Sequence, residues 1–151
     1  MRISWVAFCV AALLLACHDR SDRTSALQTS ICSIAADAAS FDGRTISVDA
    51  FLVSNGRDVV TLLDKTCPAT TLLLVPSERD VDKSVNEFSL ALMRGGRAPN
   101  TADRDVFARF TGVFRISPDG AGRRTLQLTR VSDVLITPKQ QRRKDRAHKG
   151  S

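Results

Sequence analysis

The stretch Thr45-Ile46-Ser47-Val48-Asp49-Ala50-Phe51-Leu52-Val53-Ser54-Asn55-Gly56-Arg57-Asp58-Val59-Val60-Thr61-Leu62-Leu63 carries the pattern on which the fold turns. From Thr45 to Val53 apolar and polar residues alternate, and β-branched side chains are frequent, as a half-buried strand requires. Asn55-Gly56 then supplies the residue pair that best tolerates positive φ at both centres of a tight hairpin turn. Asp58 to Leu63 returns as a second strand.

Downstream, Lys65-Thr66-Cys67-Pro68 forms a turn and Thr70 to Val75 reads as a continuous apolar third strand, giving a meander. Upstream, Ile31, Ile34, Ala35 and Ala38 are spaced by three and four, which suits a short helix ended at Ser40-Phe41-Asp42-Gly43. Past the meander the period changes again. Val81, Val85, Phe88 and Leu92 share one helical face, with Ser77-Glu78-Arg79-Asp80 as the expected capping box and Gly95-Gly96 as the stop. Val106 to Ile116 alternates as a long strand with Phe110 and Phe114 on one side. Ser117-Pro118-Asp119-Gly120-Ala121-Gly122 turns it, and Thr125 to Ile136 is the last strand before Pro138.

The class is therefore mainly β with minor α: three strands, a helix and two strands behind a short N-terminal helix. That element order resembles the OB-fold, a five-stranded Greek-key barrel. The run from Ile31-Cys32 through Phe41-Asp42-Gly43, the hairpin, Asp64 and Cys67-Pro68 also resembles small exported bacterial proteins with OB-like domains. The resemblance implies that Cys32 and Cys67 tie the leading helix to the turn after the second strand.

Met1-Arg2 is followed by an apolar run from Ile3 to Ala16, too short for a bilayer-spanning helix and closed by polar His18-Asp19-Arg20. Leu14-Leu15-Ala16-Cys17 at its end resembles the lipobox of bacterial lipoproteins. The resemblance implies cleavage before Cys17 and diacylglyceryl on its sulfur, hence a membrane partner reached through lipid. Two or more acyl chains anchor stably where one is marginal. His18, not Asp, follows that cysteine, which by the same resemblance points to the outer membrane, facing the periplasm. With Cys9 lost in the signal and Cys17 lipidated, Cys32 and Cys67 are an even remainder, and in an exported protein that reads as a disulfide.

The expected organisation is a signal peptide (1–16), a polar tether (17–29), one OB-like domain (30–138) and a basic disordered tail (139–151). About 135 residues remain after cleavage, enough for one domain with its own core. The formal charge of +6 is not spread over that domain. Between Cys17 and Pro138 fifteen Lys or Arg face fifteen Asp or Glu, so the excess sits in the tail, at Lys139, Arg142, Arg143, Lys144, Arg146 and Lys149. Such a tail is drawn to anionic lipid or envelope polymer, or is a solvated terminus with no specific role. Export removes nucleic acid as a partner.

Little points to catalysis. The two histidines, His18 and His148, lie in the tether and the tail, so the domain lacks the usual acid–base partner and any dense Cys/His metal set. No Gly-x-Ser-x-Gly elbow, His-Glu-x-x-His or phosphate-cradling Gly-Lys-Ser/Thr loop is present. No cofactor or metal is expected, and Asp80 and Asp82 beside a helix start favour its positive dipole end. Binding is the expected role. OB domains take ligands on the face of strands two and three, between the loops joining strands one–two and four–five. Here those loops hold Asn55 and Arg57, and Arg123 and Arg124, whose guanidinium groups suit a carboxylate or phosphate. Phe51 and Phe107, opposite in phase to the core positions, form a second candidate contact surface. Two readings follow: an envelope interaction module that recruits a protein or anionic polymer, or a lipoprotein inhibitor that protects against an envelope-directed enzyme or toxin.

Overall fold

The computed structural model describes residues 25–54, 59–77, 81–93, 101–118 and 121–139. Cys17 with its lipobox, Asn55, Arg57 and tail residues 140–151 lie outside the described residues. The elements run β1 (Leu27–Thr29), α1 (Ile31–Ala36), a 3₁₀ turn (Ala38–Phe41), β2 (Thr45–Ser54), β3 (Val60–Leu63), β4 (Thr71–Pro76), α2 (Lys83–Leu92), β5 (Arg104–Ile116) and β6 (Arg124–Pro138). The chain is mainly β, as its alternation implies. Among the described residues no helix is long and apolar enough to cross a membrane.

Alternation along β2 and β5 builds the core. Ile46, Val48, Ala50 and Leu52 from β2 are buried with Val106, Ala108, Phe110 and Phe114 from β5. Leu62 on β3, Leu72 on β4 and Leu126 on β6 fill the same interior, and Ile31 and Ile34 add the apolar face of α1. From α2, Phe88 meets Phe110 edge-on at 5.8 Å and Leu92 lies beside it in the same cluster. Each fully buried Val, Leu, Ile or Phe side chain of this set contributes roughly 1.5–3 kcal/mol from burial alone.

Among the described residues the six strands form one sheet. β2 pairs antiparallel with β3 and β5, β3 with β4, and β5 with β6, whereas β4 and β6 are parallel. The expectation of five strands in a barrel needs two corrections. β1, within the expected tether, pairs parallel with β2 from Leu27↔Ile46 to Thr29↔Val48. A three-residue edge strand is held by backbone hydrogen bonds and needs no apolar alternation, so its composition gave no signal. The pairings return from β5 to β2, but the sheet closes only in part and is not a closed barrel. β4 meets β6 only over Thr125–Leu128, and beyond Val131 β6 pairs with β5 alone among the described residues.

Two further boundaries differ from expectation. α2 begins at Lys83 under the cap of Asp82, whose side chain accepts from the Ser84 N–H at 2.8 Å. The helix does not open at Ser77, and Val81 precedes it, exposed. Residues 78–80 of the expected capping box and the expected Gly95-Gly96 stop lie outside the described residues. Tertiary contacts select the later cap: the Asp82 N–H donates to the Thr129 carbonyl (2.8 Å), and the Ser84 hydroxyl accepts from the Val131 N–H (3.1 Å). At the other end, β6 runs on to Pro138. Lys139, expected in the tail, is held by its N–H to the Asp103 carbonyl (2.9 Å) and its Nζ to the Thr101 carbonyl (2.7 Å).

Candidate functional site

The parallel contact of β4 with the start of β6 positions the first site. Leu73 stands opposite Thr125, so the β5–β6 turn lies against the outer ends of β3 and β4. That turn is closed by the Ser117 N–H on the Arg123 carbonyl (2.8 Å) and passes through Gly122 at φ +58°, a conformation L side chains rarely adopt. The result is an open cleft of about 360 Å³ with Arg123 and Arg124 on one wall and Thr61, Thr70, Thr71 and Leu73 on the other. Among the described residues no acidic one lines it. A lining with two arginines and three threonines suits an oxyanion, because arginine donates in a fixed fork and threonine adapts. Of the four expected ligand residues, Arg123 and Arg124 thus share one cleft.

The second site is on the outer face of the sheet. Leu63, Phe51, Phe107 and Leu135 are successive cross-strand partners on β3, β2, β5 and β6, so one apolar row crosses four strands. The Phe51 and Phe107 rings are 5.0 Å apart, tilted by 60°, and the Lys65 ammonium sits 3.8 Å from the Phe51 ring centre. A cation over an exposed ring contributes about 0.5–1 kcal/mol. Together with Asp105, Leu135 and Thr137 these residues line a groove of about 400 Å³. The alternation of β2 and β5 announced the outward Phe pair; Lys65, from the turn after β3, had no sequence signal.

Next to the groove lies an ion triad that sequence reasoning missed. Arg109 donates to both oxygens of Asp49 (2.8 and 3.2 Å), and its Nη1 lies 3.0 Å from Asp133. The Asp49 hydrogen bonds push the Arg109 pKa further up, and Asp133 adds to this. Asp49 and Arg109 are register partners, but Asp133 arrives through a bulge between the Phe107 and Arg109 pairings. Asp133 itself has φ +53°. Bulges aim side chains that a regular ladder would place elsewhere.

The cysteine pair fits a disulfide: the Cys32 and Cys67 sulfurs are 2.06 Å apart and join α1 to the turn after β3. Beside them the Asp64 carboxylate accepts from the Thr66 hydroxyl (2.7 Å) and N–H (2.8 Å). The hydroxyl bond first, then the N–H bond, holds the Asp64 carboxyl below its ordinary value. Asp64 and the two sulfurs lie within 4.8 Å of one another. Bonded sulfurs offer no thiolate, so this set does not suit a metal ion. Comparison with protein-family models, with curated proteins and with solved structures gave no match.

Proposed function

We propose that this chain is a bacterial lipoprotein, anchored through lipid on Cys17, whose domain is a non-catalytic OB-type binding module facing the periplasm from the outer membrane. The observation that carries the binding role is the cleft that joins Arg123 and Arg124 to Thr61, Thr70 and Thr71. In the OB comparison β2 to β6 without β1 correspond to strands one to five. The cleft then falls on strands two and three beside the loop joining four and five, where such domains take their ligands. The strand pairings support this assignment, since they lead from β2 through β3, β4, β6 and β5 back to β2.

The ligand chemistry is a carboxylate- or phosphate-bearing envelope polymer, or an acidic segment of an envelope protein. The test uses the full chain in detergent and two probes, poly-glutamate and polyphosphate. Arg123→Ala with Arg124→Ala is expected to weaken binding by about tenfold or more, as loss of two charge-assisted donors implies. Deleting residues 140–151 separates the cleft from the tail. Unchanged affinity in the double variant, with the loss appearing only in the tail deletion, refutes the cleft. Lipidation is tested separately: Cys17→Ala must abolish labelling by a fatty-acid analogue.

A further inference from the structure

Among the described residues the distal half of β6 pairs with β5 alone, which leaves an edge of unusual composition. Val134, Leu135 and Ile136 are consecutive, and they are 44%, 58% and 37% exposed. The Lys139 N–H donates to the Asp103 carbonyl, so Lys139 faces β5. Backbone groups alternate along an antiparallel strand, hence Leu135 and Thr137 also face β5 while Ile136 and Pro138 turn theirs outward. No bulge interrupts this phase, since Leu135↔Phe107 through Pro138↔Arg104 is unbroken. Soluble proteins protect such edges with charge, proline or a bulge. Here those devices stand only at the ends: the bulge and Asp133 on one side, Pro138 and Lys139 on the other. Between them, among the described residues, Leu135, Ile136 and Thr137 form a window that carries none of these devices.

We infer that this window pairs with the same window of a second copy of the chain, antiparallel and two-fold about Ile136. The charge pattern selects that occupant. Centring the pair on Ile136 brings the bulge that carries Asp133 towards Lys139 of the second copy, and the reverse, so both ends carry opposite charges. Each keeps its own-chain neighbour, Arg109 for Asp133 and Asp105 for Lys139. Ile136 exchanges two backbone hydrogen bonds across the axis. The missing N–H of Pro138 ends the ladder beyond it. On the outer face Leu135 comes beside Thr137 of the second copy, extending the wall of the Phe51–Phe107 groove. Because both ends are blocked, the contact closes as a two-fold pair and does not propagate. This inference does not rest on the anion-binding reading.

The test uses the full chain in detergent. The wild type is expected to sediment as a dimer at micromolar concentration. Ile136→Lys, which places like charges across the axis, is expected to weaken the dimer by about tenfold or more with an unchanged far-UV spectrum. A register map guards against a variant that fails to fold. Ile136→Cys meets its own copy at about 5.5 Å between Cα atoms, within disulfide reach, and gives a reducible dimer on mild oxidation. Val134→Cys, four residues out of register with itself, does not. A monomeric wild type overturns the proposal and leaves the edge to an extended segment of another protein. A dimer indifferent to Ile136→Lys, or cross-linking by Val134→Cys as readily as by Ile136→Cys, overturns it equally.

Discussion

Gly112 on β5 stands where the two longest strands come closest. It pairs with Leu128 beside a break in register between Thr111 and Gly112. A Cβ at this position would lie 2.2 Å from the Gln127 carbonyl oxygen and 2.8 Å from its carbon. Ordinary C···O contact begins near 3.3 Å, so Gly112→Ala requires a shift of about 1 Å. The obstacle is backbone, which no rotamer change removes. Gln127 is also held from both sides, opposite Val113 on β5 and Val75 on β4, so moving it strains two ladders. Overpacking typically costs 1–3 kcal/mol, and a backbone clash belongs at or above the upper end, here about 2–4 kcal/mol. For a domain of this size that lowers Tm by about 10–20 °C. Urea unfolding followed by far-UV circular dichroism measures it, with an unchanged m-value showing that the folded state is otherwise the same. Gly122→Ala is the control. Its φ of +58° penalises any side chain, but nothing lies within 4 Å of the added Cβ, so the cost is near 1 kcal/mol. A Gly112→Ala variant within about 0.5 kcal/mol of wild type, the ordinary range of a harmless surface change, refutes the steric reasoning.

The Cys32–Cys67 bond closes a loop with a sequence separation of 35, so its reduction or the Cys32→Ser/Cys67→Ser pair should cost about 3–4 kcal/mol in urea unfolding. A loss below about 1 kcal/mol would mean that α1 is held by the burial of Ile31 and Ile34 instead. Asp64 supplies a pH test. Its carboxyl is lowered from 3.8 in the folded state, so its stabilising effect is present above that value and disappears as pH falls through the folded pKa. Thr66→Val removes the largest cause and should raise the Asp64 midpoint towards 3.8 in a carboxyl-carbon NMR titration; an unmoved midpoint contradicts the assignment.

Local patterns were legible wherever a whole strand or helix face shares one environment. β2 and β5 alternate over their lengths, so the inward Phe110 and Phe114 and the outward Phe51 and Phe107 follow from phase alone. Legibility ended where a distant contact decides. Both Ser77 and Asp82 are competent caps, and only the bonds of Asp82 and Ser84 to β6 choose between them. β1 is three residues without apolar alternation that became a strand because β2 had an edge to offer. The candidate cleft divides in the same way. Arg123 and Arg124 were visible as turn arginines, whereas the threonine wall opposite them depends on β4 lying parallel to β6, a neighbour relation that alternation does not encode. Asp133 reaches Arg109 only through a bulge, and a one-residue irregularity leaves no mark on composition.

β6 connects the two proposals. It begins at Arg124, in the anion cleft, and carries the self-pairing window near its far end. Twelve residues of strand separate Arg124 from Ile136, a distance of at most about 40 Å. An antiparallel pair about Ile136 therefore sets the two clefts at opposite ends, at most about 80 Å apart. Such spacing does nothing for a small anion, which fills one cleft at a time. A polymer long enough to reach both converts its second contact into an intramolecular one, and its affinity rises without any new side chain. Strand pairing and anion binding would then act as one device, selecting ligands by length as well as by charge.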